Sequence, residues 1–84
     1  MKQYLAKITV RKIENVADPE GKTICSALVR LGYNGIDEVK TGKVFLVRFE
    51  AEDYAGAKEL IDRISEEILS NPIIENFTFE IWEI

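Results

Sequence analysis

Few side chains in this chain could carry chemistry, and none has the partner its chemistry needs. Histidine is absent, which removes the commonest general base and the commonest metal ligand. Cys25 is the only cysteine, so it can form neither an internal disulfide nor a thiolate cluster. With no base to activate it, its expected role is that of a small buried hydrophobe. No serine has a His to activate it either. The adjacent carboxylates Glu66 and Glu67 fall late in a predicted helix, beside its apolar stripe, and read as a solvated face. Gly32, Gly35 and Gly42 do not make a phosphate-binding loop, and no G-x-x-x-x-G-K-[ST] is present. Gly42-Lys43 could present a cation at a loop tip, although an exposed turn is the simpler meaning. No catalytic, cofactor or metal site can be assembled from these residues, so the chain is expected to be silent as an enzyme on its own.

One polar constellation remains, the corner Asp18-Pro19-Glu20-Gly21-Lys22-Thr23-Ile24. Asp18 suits an N-cap, accepting from an exposed backbone N–H. Pro19 fits the first helical position, where its missing N–H costs nothing. Glu20 places negative charge at the positive end of the helix dipole. Gly21 inside the first turn lowers helix propensity by about 1 kcal/mol relative to Ala, which implies a close backbone approach or an unusual φ. If the corner is only a helix start, Asp18→Asn leaves stability nearly intact and Gly21→Ala stabilises slightly.

The elements that position these residues follow from an 84-residue chain, 46% hydrophobic, with net charge −4. That length makes one domain, residues 1–84, whose core is marginal alone and favours oligomerisation. The negative balance argues against a phosphate-backbone binder, so no nucleic-acid partner is expected. With no signal peptide and no long apolar run, the expectation is a soluble cytoplasmic protein with no membrane partner.

Tyr4 to Ile13 alternates as a half-buried strand, with Tyr4, Ala6, Ile8 and Val10 on one face. Pro19 to Leu31 switches to a helical stripe of Ile24, Ala27, Leu28 and Leu31, ended by Gly32. Ile36 to Ala51 is either a hairpin looped at Thr41-Gly42 or one long strand bent at Gly42. Asp53 caps a second helix to about Leu69, with a core stripe of Tyr54, Ala57, Ile61, Ile64 and Ile68 reinforced by Leu60. Glu59 and Arg63 can pair on its exposed face. Asn71 and Pro72 end it, and Ile73 to Ile84 forms the last strand.

The order β-α-β(β)-α-β predicts an α+β two-layer sandwich, an antiparallel or mixed sheet with two helices on one face. Phe45, Val47, Phe49, Phe77, Phe79 and Ile81 join the first strand's apolar set toward the helices. The reverse face carries Leu5, Val44, Leu46, Ile74, Trp82 and Ile84, with Thr9, Arg11, Arg48 and Glu80 among them. Nothing in the chain is left to cover it. An exposed apolar patch containing a Trp marks an association surface, with Leu5, Leu46, Trp82 and Ile84 as the self-association candidates. Nucleic-acid recognition on such a sheet needs an aromatic and basic signature that is missing.

Asp-Pro-x-Gly at 18–21, Ala27-Leu28…Leu31-Gly32-Tyr33, Val39-x-x-Gly42-Lys43 and Leu69-x-Asn71-Pro72-Ile73-Ile74-Glu75, in that order, resemble the PurS family from first strand to last. The resemblance implies the small subunit of phosphoribosylformylglycinamidine synthase, in the multi-subunit form of that enzyme of purine biosynthesis. It implies a large synthetase subunit that amidates formylglycinamide ribonucleotide with ATP and Mg, and a glutaminase subunit that releases ammonia from glutamine. It further implies a homodimer or dimer of dimers that bridges those two partners, assists ammonia transfer and binds no cofactor itself. Asp18, Gly21, Gly42, Lys43, Asn71, Pro72 and Glu75 are then candidate partner contacts. The element order also resembles a small-molecule-binding regulatory domain of the ACT kind. There the corner is Pro-Gly, whereas here it reads Pro-Glu-Gly, and Asn-Pro-Ile-Ile-Glu has no counterpart.

Overall fold

Strict alternation puts β1 (Lys2–Lys12) at the centre of the structure, a computed structural model that describes all 84 residues. Tyr4, Ala6, Ile8 and Val10 are buried on one face. β2 (Gly42–Ala51) and β3 (Glu75–Glu83) flank β1, both antiparallel, in the order β2-β1-β3. The register runs from Lys2 opposite Ala51 to Arg11 opposite Gly42 on one side, and from Tyr4 opposite Glu83 to Lys12 opposite Glu75 on the other. The sheet has three strands and no hairpin at Thr41-Gly42. Residues 36–41 form neither the extra strand nor the long bent strand, and β2 begins at Gly42. β3 starts at Glu75 rather than Ile73, because Asn71–Ile74 is spent on a turn.

α2 (Tyr54–Ile64) supplies the helical layer. Asp53 caps it as expected, accepting from the Gly56 N–H at 2.8 Å. Ile61 enters the core against Ala6, Ile8, Val10 and the half-buried Phe45, Val47, Phe49, Phe77, Phe79 and Ile81, and Ala57 packs with Tyr4, Ala51, Phe49 and Ile81. Burying each large apolar side chain contributes about 1.5–3 kcal/mol, so this layer carries the fold. Tyr4 and Phe49, paired across the strands, stack at 5.7 Å. Arg63 and Glu59 pair at 3.0 Å on the wet face.

The expected stripe fails at both ends. Tyr54 and Ile68 are exposed, and the wholly buried position one turn past Ile61 is Ser65. A π-helical turn, Ser65–Leu69, continues α2. It inserts an extra residue, so that Leu69 rather than Ile68 packs toward the core.

α1 (Pro19–Arg30) has the expected Pro start and Gly32 end, with Gly32 at φ +93°. The shared sheet face holds for α2. α1 makes no extensive contact with the sheet and is tied instead to residues 36–41. Of its residues only Gly21 is fully buried. Cys25 is half-exposed rather than buried, its Sγ 3.9 Å from the Ile36 carbonyl. The molecule is consequently long and flat, 52 × 27 × 15 Å.

Candidate functional site

Asp18 shows how the corner is built. It occupies the N-cap of α1, and its Oδ1 accepts from the Gly21 N–H at 2.9 Å. The same carboxylate also reaches the residue before β2. Oδ2 accepts from the Thr41 N–H at 2.6 Å, and the Thr41 hydroxyl lies 2.9 and 3.0 Å from the two oxygens. The Thr41 backbone N–H above all, then the Gly21 N–H, lower its pKa; burial opposes them, and the Thr41 hydroxyl and the Lys12 charge add to them. The result is a fall from 3.8 to about 2. Asp18 is thus a clasp between helix start and strand start, with its acceptor sites largely spent inside the chain.

Gly21 has a matching reason. A Cβ there would collide with the backbone carbonyl oxygen of Val39. The close approach is made by this chain's own loop, so Gly21→Ala is destabilising, contrary to expectation. Gly42 is similarly confined: its Cβ would lie 2.7 Å from the Val10 carbonyl oxygen.

The sheet register gathers the other candidates at the same end. Arg11 faces Gly42 and Lys12 faces Glu75. Gly42, Lys43 and Glu75 therefore line one depression of about 120 Å³, together with Thr41, Lys12 and Glu20. Asn71 and Pro72 lie in the turn that delivers Glu75. That turn is closed on itself: the Asn71 N–H donates to Glu75 Oε1 at 2.7 Å, and Asn71 Oδ1 accepts from the Ile73 N–H at 3.1 Å. The Asn71 carbonyl also accepts from the Ile74 and Glu75 N–H groups. A larger groove of about 450 Å³ runs beside Asp18, with Glu14, Lys22, Glu38 and Lys40 on its walls. Its charges are mixed, so it favours neither an anion nor a cation.

The self-association candidates lie on the sheet's reverse face. Leu5 and Trp82 are directly opposite across the β1–β3 pair. Leu46 sits opposite Lys7, one step along, and Ile84 follows the strand with its N–H on the Gln3 carbonyl at 2.9 Å. Leu46, Trp82 and Ile84 are exposed, and Leu5 is half-buried. Sequence reasoning missed Thr41, Val39 and Ser65. Thr41 lies 23 positions from Asp18, and no local pattern links residues at that distance.

The same fold recurs in known proteins. A family model described as "PurS: Phosphoribosylformylglycinamidine (FGAM) synthase" matches residues 5–83. The chain belongs to the PurS family. A Synechocystis protein named phosphoribosylformylglycinamidine synthase subunit PurS is 38% identical over 78 residues, 93% of this chain and 78% of that one. Thermus thermophilus PurS superposes with a TM-score of 0.86 at 29% identity, covering 98% of both chains. A chain in the structure of PurLQS from Thermotoga maritima superposes at 0.84 with 31% identity, covering 100% of both. The PurS resemblance, and not the ACT-like one, is therefore the one that holds. The glycine of the Pro-Glu-Gly corner has its explanation in the Val39 carbonyl.

Proposed function

We propose that this chain is the small, non-catalytic subunit of a multi-subunit phosphoribosylformylglycinamidine synthase of purine biosynthesis. It bridges the glutaminase and synthetase subunits and assists ammonia transfer between them. The observation that carries this reading is the end-to-end correspondence with a chain of Thermotoga maritima PurLQS, at a TM-score of 0.84. In this reading the whole of residues 1–84 acts as one PurS domain, in the cytoplasm. ATP, Mg and glutamine are used by the complex, and the partners supply the chemistry.

The geometry suits a bridge. Asp18, Gly21 and Asn71 are committed to holding the shape of one end of the sheet. That leaves exposed side chains such as Lys43 and Pro72 free to meet a partner. The reverse face, with Leu5, Leu46, Trp82 and Ile84, serves self-association into a homodimer or dimer of dimers. Long, flat subunits of this kind can present different surfaces to different neighbours without rearranging.

Reconstitution tests the proposal. The chain is mixed with purified glutaminase and synthetase subunits, and formylglycinamide ribonucleotide amidation is followed with glutamine or with ammonia as nitrogen source. Alone, the chain turns over neither glutamine nor ATP. Omitting it abolishes glutamine-dependent amidation while ammonia-dependent amidation by the synthetase persists. Full glutamine-dependent activity without this chain overturns the proposal, as does preparation-independent turnover by the chain alone.

A further inference from the structure

The asparagines of this chain, Asn15, Asn34, Asn71 and Asn76, sit in surroundings that set their reactivity apart. An asparagine amide has an internal nucleophile in reach, the backbone nitrogen of the following residue, which can attack the side-chain carbonyl carbon. The attack needs a following N–H that is not engaged, little bulk on the following residue, and a backbone free to turn. Asn71 lacks the first, because Pro72 has no N–H, and its Oδ1 accepts from the Ile73 N–H at 3.1 Å. Asn15 precedes the β-branched Val16, whose N–H donates to the Ile13 carbonyl at 3.3 Å. Asn76 is held in β3 opposite Arg11 and precedes the bulky Phe77.

Asn34 meets every requirement. It precedes Gly35 in the exposed turn between α1 and residues 36–41. Gly35 has φ +82°, and a side chain built on it would meet nothing within 4 Å, so the space around the attacking nitrogen is open. The Tyr33 N–H is anchored on the Leu28 carbonyl at 3.1 Å, and the next engaged N–H is that of Thr41, on Asp18. No backbone N–H from Asn34 to Lys40 donates within the chain, and the Asn34 side chain has no partner in it either. A stretch tied so sparsely opens locally at little cost.

We propose that Asn34-Gly35 is a site of spontaneous covalent modification, at which Asn34 is converted to aspartate and isoaspartate with water as the only co-reactant. The Gly35 nitrogen gives up its proton to solvent base and bonds to Asn34 Cγ. The Cγ–Nδ2 bond breaks, nitrogen leaves as ammonia, and a cyclic imide remains. Water then opens the ring at either carbonyl, with no change of oxidation state. One opening gives an ordinary aspartate. The other routes the main chain through the former side chain and lengthens it by a methylene. Both add a negative charge at neutral pH to a chain whose net charge is −4. The isoaspartate form also lengthens the connection between α1 and Thr41, the residue that closes the Asp18 clasp.

The test is ageing of the full chain in neutral and mildly alkaline buffer at physiological temperature. It is read by charge separation, peptide mass mapping and enzymatic methylation of isoaspartate. An acidic species accumulates, maps to Asn34 and forms faster at the higher pH, because the attacking nitrogen must lose its proton. Asn34→Gln abolishes that species without altering the melting temperature. A peptide of residues 31–38 supplies the rate of the unconstrained sequence, and the native chain comes within severalfold of it. Asn34 that stays intact in the native chain overturns the proposal, whether or not the peptide is modified, and so does modification that maps to Asn15, Asn71 or Asn76 instead.

Discussion

Asp18 is an N-cap by position, but its carboxylate does more than a cap. Two backbone N–H donors point at it from opposite sides, Gly21 at Oδ1 and Thr41 at Oδ2. An Asn side chain offers one oxygen and one NH2 group. Whichever way the amide is turned, a donor then faces a donor, and one buried N–H loses its partner. Asp18→Asn is therefore expected to lower the melting temperature clearly, not to be neutral. Gly21→Ala is expected to do the same, because Val39's backbone must move to admit the methyl group. The pH dependence has a fixed sign. A carboxylate whose pKa falls from 3.8 to about 2 on folding stabilises fully above 3.8, and that contribution disappears as pH drops to about 2. Melting curves of the native chain and Asp18→Asn, recorded from pH 7 downward, should stay apart to about pH 4 and converge as pH approaches 2. A constant gap across that range would show that the carboxylate's charge is irrelevant to the clasp.

At the level of elements, what was legible in the sequence was whatever local periodicity controls. The alternation of Tyr4, Ala6, Ile8 and Val10 found the central strand and its buried face. Asp53 and Gly32 marked helix ends correctly. A period of 3.6 residues per turn places Ala57 and Ile61 correctly in the second helix and misplaces Ile68. A π-turn adds a residue without changing composition, so periodicity cannot announce it. Residues 36–41 failed for another reason: their β-forming side chains are overridden by tertiary contacts to α1 through Thr41, Val39 and Ile36. Two serines five residues apart offer a test of the π-turn. Ser65 Oγ is wholly buried and has no hydrogen-bond partner, whereas Ser70 Oγ donates to the Ser65 carbonyl at 2.8 Å. Ser65→Ala should stabilise by about 1 kcal/mol and Ser70→Ala should destabilise by about 0.5–1.5 kcal/mol. Denaturant unfolding measures both, and shifts of the same sign would contradict the hydrogen-bond assignment.

The whole molecule has two apolar surfaces that its own chain leaves open. One is the reverse face of the sheet, where Leu5 and Trp82 face each other across β1 and β3. The other is α1 with its C-cap, where Ile24, Val29 and the capping Leu31 are exposed although the helix is amphipathic. Only 10 of the 84 residues are fully buried, too small a core for a domain of this size to rely on alone. Association is the expected remedy, and burying a side chain such as Leu46 or Trp82 contributes about 1.5–3 kcal/mol. Trp82 is the single tryptophan, 44% exposed and placed on the reverse face, so its emission reports on that face alone. If the reverse face is the interface, diluting the protein through its dissociation range shifts Trp82 emission to the red in step with the fall in sedimentation coefficient. Trp82→Lys/Leu46→Lys should then sediment as a folded monomer at micromolar concentration, because a cation at each position cannot be buried without a partner. A dimer that survives this double substitution would move the interface to α1, and Ile24→Lys/Leu31→Lys would become the pair that dissociates it.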